Sequence, residues 1–279
     1  MRNDFRGLYF RCQSDTQTLA VIPSVHRTDR EAFCAVQLIT DTQSFSVKLP
    51  CSDFQKQDGV IRIAGNRFGK EGITLDIHSP DLQAAGSLRF GPFTPIRYDI
   101  MGPFRYVPLL QCRHSVFSMG HRVDGTVLVN GVPYAFQDDM GYMEGDRGRS
   151  FPSGYVWTQC FFPEGSLMLS IAEIPLGGLG FTGIIGIVLL WGKEYRLATY
   201  LGAKAVKIEA TEIVVRQGRF TLTVRPKGQS GQPLQAPVGG DMIRTIREHL
   251  SCPVSYRFTE NGNTLLSLDA SNAALEYEY

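Results

Sequence analysis

Gly125-Thr126-Val127-Leu128-Val129-Asn130-Gly131-Val132-Pro133-Tyr134-Ala135-Phe136 is the stretch that decides the fold class. Two runs rich in β-branched and aromatic residues flank Asn130-Gly131. A two-residue turn between antiparallel strands needs positive φ at both positions, which Asn and Gly tolerate best. The segment reads as a β-hairpin. Asn261-Gly262, just before Thr264–Leu268, reads the same way with one extra residue. Outward from these turns the strand signals continue. Thr18–Ser24, Ala32–Thr40, Phe45–Lys48, Gly59–Ala64 and Gly72–Ile77 precede the hairpin. Tyr155–Phe162, Ser166–Ile171, Phe181–Leu190, Tyr195–Tyr200, Val206–Val215, Arg219–Val224 and Ser255–Thr259 follow it. In Val206-Lys207-Ile208-Glu209-Ala210 every second side chain would face a core.

Helix signals are few. Asp241–Leu250 is the best, with Asp241 as a cap and Met242, Ile243, Ile246 and Leu250 at helical spacing. Pro80–Ala85 reads as one short turn of helix. About fifteen strands exceed what a single eight-stranded barrel uses. The expectation is therefore an all-β chain of two consecutive barrel or sandwich lobes with one or two short helices. Strand count and length place the boundary near Glu144–Pro152, giving lobes of 1–145 and 146–279.

The bulk chemistry excludes several functions. A net charge of +1, with Lys and Arg scattered rather than striped, gives no electrostatic reason to bind nucleic acid. Cys12, Cys34, Cys51, Cys112, Cys160 and Cys252 form no CxxC pair and no zinc-like spacing with histidine. Asp4 sits where a signal core would begin, so the cysteines read as reduced core residues of a cytoplasmic protein. Ile174–Trp191 carries no charge, but Pro175 and its glycines suit two strands and a Gly-rich turn better than a membrane helix. That apolar run leaves room for weak membrane-surface contact. Oligomeric state is not readable.

The densest chemistry lies in Gly141-Tyr142-Met143-Glu144-Gly145-Asp146-Arg147-Gly148-Arg149-Ser150-Phe151-Pro152, followed by Tyr155 and Trp157. By itself such a cluster reads as a solvated turn with a surface ion pair, Arg149 holding Asp146. Asp138-Asp139 resemble a metal pair, yet adjacent strand residues point to opposite faces, so no metal is expected. No cofactor is expected either, and Ser150 has no triad-like partners.

Read end to end, the chain resembles the tocopherol cyclase family. Phe5-Arg6-Gly7-Leu8-Tyr9-Phe10-Arg11 is similar to that family's Phe-Glu-Gly-Trp-Tyr-x-Lys opening. Ile63-Ala64-Gly65-Asn66-Arg67-Phe68 with Gly72–Ile77, then Met101-Gly102-Pro103-Phe104 with Cys112, His114 and His121, resemble its next blocks. The fourth block is Gly141-Tyr142-Met143-Glu144 through Gly148, then Ser150-Phe151-Pro152 and Trp157-x-Gln159. Arg147 stands where the family tends to have Trp, and Arg6 and Leu8 replace Glu and Trp, all at positions suited to touching a ligand. The resemblance implies two lipocalin-like lobes, shared with carotenoid hydratases and some lipocalin-like Diels–Alderases. In the hydratases a Tyr-x-Asp unit with a nearby Gly is similar to Tyr142-Met143-Glu144 with Gly148, and an upstream histidine corresponds to His114 or His121.

The activity so implied is acid-catalysed cyclisation or hydration of a prenylated quinol or terpenoid lipid in a cavity between the lobes. An isoprenoid double bond is protonated, and a phenol oxygen or water captures the cation. The implied catalytic residues are Glu144, Tyr142 and His114; the implied binding residues are Asp146, Arg147, Trp157, His121 and Tyr9. Burial beside Tyr142, Phe151 and Trp157 would raise a carboxyl pKa, as would an ionised Asp146; an inward Arg147 or Arg149 would lower it. Phe90-Gly91-Pro92-Phe93 and Phe104-Arg105-Tyr106 offer aromatic faces for a cation or for core packing. The competing reading is a non-catalytic lipocalin-like binder of a hydrophobic small molecule, in which Glu144 and Arg147 are structural.

Overall fold

Asn130 and Gly131 adopt φ of 49° and 83°, closing a two-residue hairpin between the long strands Cys112–Val129 and Val132–Gly148. The computed structural model describes residues 3–108, 110–176, 179–228 and 231–279. Nearly all of what is described is strand, arranged in two antiparallel sheets, one of them curled into a half-barrel. The Gly177-Gly178 turn expected between two apolar strands lies outside the described residues. Among those described, no helix is long and apolar enough to cross a membrane.

The first sheet holds β1 (Asp4–Gln13), β2 (Thr18–Arg27), β3 (Ala32–Thr40), β4 (Ser44–Pro50), β5 (Gln55–Gln57) and β6 (Val60–Ile63). It continues with β7 (Asn66–Gly69), β8 (Gly72–His78), β9 (Gln83–Phe90), β10 (Cys112–Val129) and β11 (Val132–Gly148). Its order is β4-β3-β2-β1-β11-β10-β9-β8-β7-β6-β5, so the first strand pairs with the last. The second sheet holds β12 (Tyr155–Phe162), β13 (Gly165–Leu176), β14 (Leu179–Leu190), β15 (Lys193–Ala198), β16 (Lys204–Glu209) and β17 (Glu212–Gln217). With β18 (Phe220–Pro226), β19 (Gln232–Val238), β20 (Asp241–Glu260) and β21 (Asn263–Tyr277), its order is β15-β14-β13-β12-β21-β20-β18-β17-β16, and β19 pairs β20.

The chain divides into two units. One comprises Met1–Pro95, His114–Ser150 and Leu234–Thr245; the other comprises Ile96–Arg113, Phe151–Pro233 and Ile246–Tyr279. Each has its own core. Phe10, Leu38, Ile63, Phe68, Ile73 and Leu75 fill the first, and Val156, Leu169, Val188, Val224, Tyr256 and Phe258 the second. Burying a side chain such as Phe10 contributes about 2–3 kcal/mol.

Several elements differ from the sequence reading, each for a physical reason. Asp241–Leu250 is not a helix but the start of β20. Ile246, Glu248, Leu250 and Cys252 are buried in strict alternation while Ile243 is exposed. A buried glutamate in the apolar series disguises the period of two. Pro80–Ala85 is also not helical: the Ser79 amide donates to the Leu82 carbonyl at 2.9 Å, and β9 begins at Gln83. Val206–Val215 is two strands, with Glu209 opposite Glu212 across a turn that lacks Gly, Asn or Pro. Tyr195–Tyr200 ends as a strand at Ala198 and passes into a 3-10 turn, Thr199–Leu201. Glu260 pairs directly with Asn263, so the Asn261-Gly262 turn has no extra residue.

Two features of the first unit fix where its buried polar side chains lie. Register sets Tyr9 opposite Glu144, Arg11 opposite Tyr142 and Gly7 opposite Asp146, while Phe10 faces Met143. Phe10, Cys12 and Met143 enter the apolar core. The alternate face, with Tyr9, Arg11, Tyr142 and Glu144, is buried as well. The 234–245 segment is pinned to the same unit: Gln37 and Gln235 exchange two hydrogen bonds at 3.0 Å, and the Gly240 amide donates to the Arg149 carbonyl at 2.8 Å.

Candidate active site

Tyr142, Glu144 and Asp146 sit two residues apart on β11, so their side chains leave the same face of the strand. His114, on the neighbouring strand β10, reaches between the two acids. Its Nε2 lies 3.0 Å from Glu144 Oε2 and its Nδ1 3.0 Å from Asp146 Oδ1. The Tyr142 hydroxyl donates to Glu144 Oε2 at 2.5 Å. The cluster is withdrawn from water: side-chain exposure is 11% for His114, 7% for Glu144 and 23% for Asp146.

Gly145 makes that placement feasible. A Cβ there would meet the Gly7 carbonyl oxygen at 2.8 Å, so its absence lets β1 close on β11 beside Glu144. Gly141, four residues earlier and so on the same face as Gly145, lies against the core, where a Cβ would be 2.4 Å from His121 Nε2 and 2.7 Å from Val123 Cγ2.

The electrostatics follow from this geometry. Burial, the largest influence on His114, favours the neutral ring, but the Glu144 and Asp146 charges and the hydrogen bonds to them outweigh it. Its pKa therefore stands well above the ordinary 6.5. Burial first, then the Glu144 charge and hydrogen bond, raise Tyr142 well above 10.0, so its hydroxyl keeps its proton. The arrangement is an imidazolium between two carboxylates, one of which also accepts a hydrogen bond from a phenol. His114, Glu144 and Asp146 offer ligand atoms within 4.8 Å of one another. The ring presents a different nitrogen to each acid, however, so the three converge on a proton-holding ring rather than on a common metal position.

The other anticipated residues divide between the cluster's surroundings, the cores and the surface. Tyr9 is buried opposite Glu144, and its charge interaction contributes to the raised pKa of Tyr142. Arg147 is exposed and, by strand alternation, leaves the face opposite Asp146; it does not join the cluster. Asp146 pairs with His114 rather than with Arg149, which is exposed and lends its carbonyl to Gly240. His121 lies apart from the acids, between Phe90 and Phe93 with ring centroids 4.7 and 4.6 Å away, and its Nδ1 is 3.0 Å from Ser118 Oγ. Burial lowers its pKa to about 4, so the ring is neutral. Trp157 belongs to the second unit, buried on β12 opposite Glu276. Phe104 packs on Phe181 and Tyr200, while Tyr106 is exposed. Asp138 is exposed and pairs with Arg122 at 3.3 Å, while Asp139 is half-buried.

Sequence reasoning passed over two features of these buried faces. Arg11 is fully buried opposite Tyr142, and its spacing of two from Tyr9 was the available signal. In the second unit Tyr155 donates to Glu276, both buried, and Glu248 faces Glu276 across β20 and β21.

No protein-family pattern and no curated protein match the chain by sequence. Solved structures match by shape. CghA bound to Sch210972 gives a TM-score of 0.61 at 10% identity, covering 99% of this chain and 89% of that one. Kievitone hydratase from Nectria haematococca gives 0.56 at 9% identity, covering 98% and 88%. A Nitrosomonas europaea protein provisionally named AttH gives 0.57 at 11% identity, covering 100% and 93%. At such identities the likeness establishes a shared fold.

Proposed function

We propose that this protein is an enzyme that adds a proton to a double bond of a hydrophobic small molecule, leading to hydration or ring closure, with Tyr142, Glu144, His114 and Asp146 as its machinery. The observation that carries the reading is His114 held between two carboxylates while Tyr142 donates to one of them, all withdrawn from water. Moving one proton along the 3.0 Å line from His114 Nε2 to Glu144 Oε2 turns an imidazolium–carboxylate pair into imidazole and carboxylic acid. Glu144 then gives that proton to the alkene. The resulting cation faces the anionic Asp146 and the rings of Tyr142 and Tyr9, whose faces favour positive charge when water is excluded. A phenol oxygen or a water captures the cation and returns its proton to the carboxylate, restoring the cluster.

The sequence resemblance to tocopherol cyclases supports a prenylated phenol or terpenoid as substrate. A fold shared with a protein named a hydratase supports the addition chemistry. Arg147, exposed and turned from the cluster, accounts for why its departure from the family pattern leaves the acid site intact.

The test is incubation with a panel of prenylated quinols, phenols and polyenes in deuterated water. Product carrying deuterium on the former alkene carbon is expected. Glu144→Gln should keep the fold, with stability reduced by the broken pair with His114, and lose about 10²–10⁴-fold in turnover. Equal turnover by that variant, or ligand retention without chemistry across the panel, would overturn the assignment in favour of a binder.

A further inference from the structure

Cys34 is fully buried on β3, and Cys51 is half-buried in the 3-10 turn Cys51–Asp53 that follows β4. Their Sγ atoms are 3.5 Å apart, and no disulfide joins them. The place matters because of the sheet order. β4 and β5 are the two outer edges of the first sheet, and the turn carrying Cys51 is the chain that joins them. The ladder between β3 and β4 sets Cys34 opposite Leu49, two residues before Cys51, so the backbone already holds the two thiols on one side. A disulfide needs a sulfur–sulfur distance of about 2.0 Å, within reach of a side-chain rotation from contact distance.

We propose that Cys34 and Cys51 form a reversible disulfide that staples the seam between the two edges of the first sheet, by exchange with an oxidised low-molecular-weight disulfide such as oxidised glutathione. The more accessible Cys51, as thiolate, attacks one sulfur of the small disulfide and expels one small thiolate, which takes up the proton Cys51 gave up. Cys34, as thiolate, then attacks Cys51 Sγ, breaking the mixed disulfide and releasing the second small thiol. Two protein thiols lose two electrons and two protons, and the small disulfide becomes two thiols. Cys12 stays out of this exchange, being buried with its thiol pushed up to about 12.

The full chain incubated with oxidised glutathione, then alkylated, digested and mapped by mass spectrometry, provides the test. The expected product is a single Cys34–Cys51 cross-link with the other cysteines alkylated, a urea midpoint above that of the reduced chain, and reversal by dithiothreitol. Cys34→Ser should trap a lasting glutathione adduct on Cys51, and Cys51→Ser should give no adduct on Cys34. Full alkylation of every cysteine, a lasting adduct on Cys51 in the unaltered chain, or a cross-link to any other cysteine would overturn the proposal.

Discussion

Each sheet hydrogen-bonds its first strand to its last, and at that pair each sets a glutamate opposite an aromatic residue. Glu144 faces Tyr9 on β1, and Glu276 faces Trp157 on β12. Each glutamate accepts a hydrogen bond from the hydroxyl of a buried tyrosine, Tyr142 in the first unit and Tyr155 in the second. The next strand over is where they part. β10 supplies His114 to Glu144, whereas β20 places Glu248 opposite Glu276. A buried tyrosine–glutamate bond is thus within the ordinary means of this winding. Among the described residues, what marks the first site is an imidazole placed between two acids.

Removing that imidazole should therefore have the largest effect. His114→Gln leaves Glu144 and Asp146 facing each other without a cation between them. Breaking a buried charge pair in this way costs about 3–5 kcal/mol. Urea unfolding of the variant against the parent measures it, and a loss well under 1 kcal/mol would erase the distinction drawn between the two units.

The two histidines of β10 sharpen the contrast through pH. The folded pKa of His114 lies above its ordinary 6.5. Its stabilising contribution is complete below that value and is lost as pH rises through the raised one. His121 behaves oppositely, with a folded value of about 4 against 6.5. Below about pH 6.5 the unfolded chain takes up the proton first, so stability falls toward pH 4 by up to about 3 kcal/mol. Stability profiles of His114→Gln and His121→Leu should flatten the alkaline and acid limbs respectively. If either variant flattens the other's limb, the assignment of charge states is wrong.

What the sequence disclosed tracks what is local. Asn130-Gly131 specifies its turn by its own φ preferences, and Ala32–Thr40 forms one strand over those same residues. The shared face of Tyr142, Glu144 and Asp146 follows from strand alternation alone, once the segment is taken as extended rather than as a turn. His114 depended on the family resemblance, because nothing local reveals which residue of β10 lies beside β11. Arg11 and Glu276 stayed hidden for the same reason: register is a tertiary property, and a one-residue shift would turn either to the opposite face. Asp241–Leu250 misled because Glu248 occupies a buried position that patterning assigns to an apolar residue.

Gly141 gives a smaller effect that isolates the core side of β11 from its acid side. In Gly141→Ala the new methyl would meet the His121 ring, wedged between Phe90 and Phe93, and Val123. Such overpacking costs about 1–3 kcal/mol. Thermal unfolding should register it while the alkaline limb set by His114 is preserved. Loss of that limb in Gly141→Ala would mean the two faces of the strand are coupled.

The smallest change returns to the shared feature. Tyr142→Phe and Tyr155→Phe each delete one hydroxyl donated to a buried glutamate, costing about 1–2 kcal/mol apiece. Their stability losses should be similar, because the two bonds are alike in chemistry and burial. Turnover should separate them: Tyr142→Phe alters the hydrogen bonding of the acid beside His114, whereas Tyr155→Phe acts on a glutamate that faces Glu248 instead. A selective loss of rate in Tyr142→Phe would fix the histidine-bearing cluster as the working one. An equal loss in Tyr155→Phe would show that the second pair takes part in the chemistry, and the distinction between the two glutamates would fall.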